Sequence, residues 1–250
     1  MPADPMRRAG RAAAATLQAA CAAVRPGLTT GTLDRLVRDH TRRQKGRCAQ
    51  HGHRVGARRF PAHVCTSVND VVCHGIPRDD VVLVDGDIVN IDVTTALGGG
   101  HGDTSRTVFV GRPSPEAAHV VQVAERALWL GIETVRPWRP LHDIGRVIEA
   151  FVRSQGCSVV TDYGGHGIGA RMHQAPSVPH HDVPGGPPMV PGMCFTIEPM
   201  VCLGRAEVVH DADGWTVRTA DGSLSAQFEH TLRVTEDGVE VLTRLRSGRR

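Results

Sequence analysis

Asp92 and Asp103 are the residues from which a chemical reading starts. They lie in the stretch NIDVTTALGGGHGDTSRTVFV, Asn90 to Val110. Ile88 to Thr95 and Thr104 to Val110 are rich in β-branched residues and bracket three glycines, which predicts the two arms of a hairpin. Asp92 falls on the first arm and Asp103 at the start of the second. A carboxylate inside a buried strand is costly, and two together are costlier unless a cation lies between them. The pair alone fits either a solvated face or a metal site.

A repeat in the chain separates these readings. Val24-Arg25-Pro26, followed by Leu33, Arg35, Leu36 and Val37, matches Val135-Arg136-Pro137, followed by Ile144, Arg146, Val147 and Ile148. VDGDIVNIDV, ending at Val93, aligns with VPGMCFTIEP, ending at Pro199, and sets Asp92 opposite Glu198. HGDTSRTV aligns with QFEHTLRV and sets Asp103 opposite Glu229. Each half thus supplies two carboxylates on strands, and a pseudo-twofold fold brings all four to one centre.

Four carboxylates in a low-dielectric interior repel by several kcal/mol, so they need positive charge, and two divalent ions balance them. His166, flanked by glycines in GGHGIG, adds one neutral nitrogen ligand. An oxygen-rich set with a single imidazole suits Mn, Fe(II), Co or Zn in a two-metal hydrolytic site that makes a hydroxide near neutral pH.

The elements that must hold these side chains read in order. Met6 to Val24, dominated by alanine and stopped by Pro26-Gly27, predicts a first helix. A second runs from Leu33 to Arg43, capped by Thr30 or Thr32. Gln44 to Arg59 is polar, glycine-punctuated and basic, a loop whose ordinary meaning is a solvated surface and whose secondary reading is contact with ribosomal RNA. Val64 to Val72 and Val81 to Val84 predict strands around the turn His74-Gly75-Ile76-Pro77. Helices follow at Pro115 to Val135 and Leu141 to Gln155, then a strand at Ser158 to Asp162 ending in GGHGIG. A loop from Ala175 to Pro188 precedes strand regions at Met193 to Val201 and Gln227 to Val234. No linker composition interrupts the chain, so one domain is expected.

Composition narrows the class. A formal charge of +3 on 250 residues is too balanced for a general nucleic-acid binder. Seven cysteines, an odd number without any Cys-x-x-Cys, point to reduced thiols in a cytoplasm and build no zinc ribbon. The alanine-rich segment Arg11 to Val24 has too few bulky apolar residues for a signal h-region, and no run is long enough to span a bilayer. A monomer without DNA or membrane partners is expected.

The set Asp92, Asp103, His166, Glu198 and Glu229, within CHGIP, NIDVT, HGDTSR, GGHGIG, FTIEPM and SAQFEHT, resembles type I methionine aminopeptidases of the pita-bread fold, an M24-like metallopeptidase family. The resemblance spans about Met6 to Leu242. It implies an α+β fold of two pseudo-twofold-related helix-helix-strand halves around a central antiparallel sheet, and a single metallopeptidase catalytic domain over residues 1–250. It further implies two divalent ions, Co, Mn, Fe(II) or Zn. Asp103 and Glu229 would bridge them, Asp92 would complete one shell, and His166 with Glu198 the other, Glu198 also shuttling the proton. His74 and His173 would contact the scissile amide and its developing oxyanion, while Phe60, Cys65, Met172 and Trp215 would line the methionine pocket. The implied partners are nascent polypeptide N-termini with a small second residue, and the ribosome surface beside them.

Two positions depart from the family pattern. An aromatic-rich loop before CHGIP is replaced by Ala57-Arg58-Arg59-Phe60-Pro61, and a phenylalanine after GHGIG is replaced by Met172. Both predict a looser grip on the substrate side chain. Within the fold, prolidase and aminopeptidase P relatives carry a large extra N-terminal domain, and type II enzymes insert a subdomain between the positions of His173 and Glu198, which lie close here. A non-catalytic binding protein of this fold would have lost ligands.

Overall fold

The computed structural model describes residues 4–245. Helix α1, Pro5–Ala23, is capped by the Asp4 carboxylate, which accepts from the Met6 amide. Its alanines let it lie almost flat on the first hairpin: Ala9, Ala13 and Ala20 are fully buried, and a Cβ on Gly102 would come within 2.5 Å of the Gly10 Cα. The predicted cap of the second helix shifts by a residue. Helix α2 is Thr30–Arg43, and the Thr29 hydroxyl accepts from the Thr32 amide.

The hairpin comprises strands Ile88–Leu97 and Gly100–Phe109, longer than predicted and closed at Gly98-Gly99. Asp92 faces Ser105 and Thr94 faces Asp103. Directly opposed residues share a face, so the two carboxylates are diagonal neighbours on one side of the sheet. The other side packs under α1 and α2 in a core of Leu17, Leu33, Val37, Leu83, Val89, Ile91 and Val93.

The second half repeats this plan. Helix α3, Pro115–Thr134, starts at a Ser114 cap, and α4, Asp143–Ser154, buries Ile144, Ile148 and Val152 at four-residue spacing. The Val-Arg-Pro repeat has one structural job in both halves. Val24 ends α1 and Val135 ends α3 in the same extended conformation, each amide reaching back to the carbonyl three residues earlier. Beneath α3 and α4 lie antiparallel ladders built on strands Cys194–Ile197, His230–Val234, Met200–Cys202 and Ser225–Gln227.

The central sheet is therefore an assembly of short ladders. Its halves meet at the Arg106 to Phe228 bridge, along a seam of threonines, and through a short ladder of Val71–Cys73 against Val217–Thr219. The Thr104 hydroxyl donates to the Glu229 carbonyl and the Thr231 hydroxyl to the Asp103 carbonyl, each at 2.8 Å.

Three predicted elements need correction. Val81 to Val84 forms no strand beyond one isolated bridge, Val82 to Thr29, because its backbone bonds go to Gly27, Leu28 and the first residue of α2, Thr30, instead of to a neighbouring strand. The basic segment is not all loop: Arg47–Cys48 adds to the hairpin sheet, and Arg54–Val55 pairs with Arg58–Arg59. The start of the Ala175 to Pro188 loop is part of a strand, Gln174–Val178, against Gly165–Gly167.

Candidate active site

The four carboxylates of the alignment converge. Oxygens of Asp92, Asp103 and Glu229 form one group within 4.8 Å, and His166, Glu198 and Glu229 form an overlapping one. His166 Nε2 stands 3.8 Å from Asp103 and 3.6 Å from Glu198. Its Nδ1 donates to the Gly167 carbonyl at 3.0 Å, which fixes the tautomer and leaves the Nε2 lone pair facing the carboxylates. The flanking glycines are steric necessities. A Cβ on Gly165 or Gly167 would come within 2.2 Å of the Thr196 or Ala175 carbonyl oxygen.

The donor set fits divalent metal. Asp92 Oδ1 and Glu229 Oε1 are buried with no hydrogen-bond partner, a costly arrangement that a cation repairs. Three of the other oxygens are held by side-chain donors. Thr94 Oγ1 donates to Asp103 at 2.7 Å, Thr196 Oγ1 to Glu198 at 2.7 Å, and Gln227 Nε2 to Glu198 at 3.2 Å. Thr196 Oγ1 also accepts the His166 amide, tying two candidate ligands together. Unlike Asp92, Glu198 sits at a break between strands, before Pro199. There its amide is taken up by Nε2 of His180, an imidazole 1% exposed. Sequence reasoning assigned His180 nothing, because a histidine in a Pro/Gly loop carries no local signal.

Burial raises all four carboxyl pKa values, with Asp103 repulsion adding to it for the other three, and pushes Glu198 up to about 8. The histidines move the other way. Burial takes His74 and His173 down to about 4 and His180 to about 3. His74 adopts a left-handed φ of 57°, strain of the kind that gathers at functional sites.

Without metal, the folded chain holds carboxyl protons that the unfolded chain has lost, so stability falls as pH rises toward 8. Below 6.5 the buried neutral histidines act oppositely, since the unfolded chain binds their protons first. Apo-protein should therefore be most stable near pH 6–6.5 and lose at least ~2 kcal/mol by pH 8, roughly 4–8 °C in Tm. Thermal melts at both values, with and without Mn, check this; the metal should remove the loss.

A cavity of about 290 Å³ opens above the carboxylates. Every predicted pocket residue lines it: Phe60, Cys65, His74, Met172, His173 and Trp215. Phe60 meets Trp215 edge-on at 5.3 Å, and His173 meets His166 at 4.2 Å. Ala57 does not line it; the exposed turn carries it away, and Val55 faces the cavity instead. Gln50, His53, Thr94 and Tyr163 also line it and went unread. Gln50 looked like solvated loop, yet it is buried and donates to the Asp92 carbonyl at 2.8 Å.

The model of metallopeptidase family M24 matches residues 4–236. The chain belongs to this family. It is 49% identical to methionine aminopeptidase A of Synechocystis over 96% of its own length and 94% of that protein's. The crystal structure of methionine aminopeptidase from Rickettsia prowazekii superposes with a TM-score of 0.91 at 44% identity, covering 96% of this chain and 95% of that one. Prolidase from Pyrococcus furiosus, 19% identical with a TM-score of 0.73, shares the fold alone, and this chain covers 63% of it. The fold of this M24 member is the pita-bread fold, and membership makes it a metal-dependent peptidase.

Proposed function

We propose that the chain is a methionyl aminopeptidase that removes the N-terminal methionine from nascent polypeptides whose second residue is small. The observation that carries this reading is the buried set Asp92, Asp103, His166, Glu198 and Glu229, with two orphaned oxygens at the floor of an apolar pocket. Residues 1–250 act as one catalytic domain, since each half contributes ligands.

Asp103 and Glu229 would be shared between two divalent ions drawn from Co, Mn, Fe(II) or Zn, with Asp92 completing the hold on one and His166 with Glu198 on the other. Such ions supply Lewis acidity and a water acidic near neutral pH. Glu198 takes the proton of the attacking water and passes it to the leaving amine. Neutral His173 donates to the carbonyl oxygen as it gains charge, and His74 steadies the amide. The substrate's free amine lies on the Asp92 side, and its side chain enters between Phe60, Cys65, Met172 and Trp215. Free thiols at all seven cysteines suit a reducing cytoplasm.

The test is a dipeptide and tripeptide screen after metal reconstitution. Peptides beginning with methionine and a small residue should be cleaved, and N-acetylated ones left intact; equal cleavage of both would overturn the reading. The same screen reports on Met172. A flexible thioether grips less firmly than a ring, so leucine should follow methionine closely, and Met172→Phe should raise the Met/Leu ratio of kcat/KM within the ~10–200-fold a methylene can command.

A further inference from the structure

Between Arg38 and Arg59 the chain carries eight arginines and lysines against one acid, Asp39, whereas the whole molecule is only +3. The remainder is therefore net negative, and the molecule is electrically lopsided. Arg38 is held by Asp39. Every other arginine ion pair among the described residues lies outside this segment, which leaves its remaining cations without acidic partners.

The end of this run stands at the mouth of the cavity. Arg54 pairs with Arg59 and Val55 with Arg58 in a short hairpin. Val55 lines the cavity although it is 59% exposed, which puts the hairpin on the lip. Arg58 Nη1 donates to the Gly214 carbonyl at 2.9 Å, beside Trp215, and latches the hairpin across the pocket. The acids of the facing turn are engaged. Asp211 binds Arg218, and Asp213 is turned inward onto the amides of Trp215 and Thr216. Asp162, beside Tyr163, is the exposed acid of the far lip.

A peptide with its first side chain against Phe60 and Trp215 sends the rest of its length out past this hairpin. Paired residues share a face, so Arg58 stands on the cavity face with Val55, and Arg54 with Arg59 on the outer face, from which charge acts on a nearby peptide through the field over a Debye length of about 10 Å. We propose that the Arg54–Arg59 hairpin is a specificity surface for the peptide beyond its second residue, favouring acidic sequences. This rests on the aminopeptidase reading above. A peptide suits the surface better than a nucleic acid does, because Arg54 to Arg59 itself carries no aromatic residue on which bases could stack and Val55 is its one large exposed apolar side chain.

The test compares reconstituted enzyme on four substrates: methionyl-alanyl-serine, and that tripeptide extended by three glutamates, glutamines or lysines. Glutamate should exceed lysine by about tenfold in kcat/KM at low salt, through KM, and the gap should shrink at ~0.5 M salt. In the double variant Arg54→Gln, Arg59→Gln the tripeptide should be cleaved as before while the gap falls to about twofold. Charge reversal, Arg54→Glu with Arg59→Glu, should turn the preference toward lysine. Equal rates on glutamate and lysine peptides at low salt would overturn the proposal, as would a gap untouched by either variant. So would variants that lose affinity for duplex RNA yet keep the peptide preference, since the surface would then serve nucleic acid. A tripeptide left uncleaved by the wild type counts against the aminopeptidase reading instead.

Discussion

Asp103→Ala and Glu229→Ala are each expected to abolish turnover and to leave a protein that retains at most one ion. Both side chains are almost fully buried, Asp103 at 4% exposed and Glu229 at 2%, and each belongs to a group that could hold a cation. Removing one member of a buried charge set leaves its partners uncompensated, at ~3–5 kcal/mol, which is about 10²–10³ or more in affinity for the second ion. Adding excess Mn should not restore wild-type activity if, as proposed, the missing oxygen is a bridge and not a distant support. Metal stoichiometry after dialysis, read alongside kcat, makes the check. Two tightly held ions in either variant would contradict the bridging role, and so would full wild-type activity in excess chelator.

The second large effect concerns His173. Its ring is exposed to the cavity, edge-on to His166, and burial among histidines keeps it neutral down to about pH 4. A neutral imidazole can donate a hydrogen bond without presenting a second cation to bound metal. Losing a single such donor to a developing oxyanion typically costs ~10²–10³ in kcat, with substrate binding nearly preserved. His173→Ala should show that split. His173→Gln, which keeps an N–H donor, should recover part of the loss. A change confined to KM would assign His173 to substrate binding alone.

What could be read from the chain divides along physical lines. The repeat was legible because each half must end its first helix and place its carboxylates in the same way, so Val24 and Val135 stand at equivalent caps. The converging carboxylates were legible because buried charge demands an explanation wherever it occurs. His180, Thr196 and Gln227 were not. They act through a single hydrogen bond or two to Glu198, and their residue types are ordinary in strands and loops. The missing strand at Val81 to Val84 shows the limit of β-branched composition: Val82 and Val84 are exposed, with no neighbouring strand to pair with. Ala57 was misplaced for a related reason, since a turn sends neighbouring residues in directions that spacing alone does not reveal.

The threonine seam has a consequence for how the molecule breathes. Asp92 and Asp103 belong to one half, and His166, Glu198 and Glu229 to the other, with helix pairs on separate cores. Between them at the carboxylates run single hydroxyl bonds, Thr104 to Glu229 and Thr231 to Asp103, and the one short ladder that joins the halves, Val71–Cys73 with Val217–Thr219, lies to the side. A cation bound there joins two bodies, so it should slow their parting more than it slows fraying within either one. Amide hydrogen exchange is then expected to respond to metal along Asp103 to Thr107 and Phe228 to Thr231, while the amides inside α2 and α4 exchange at nearly the same rate with or without it.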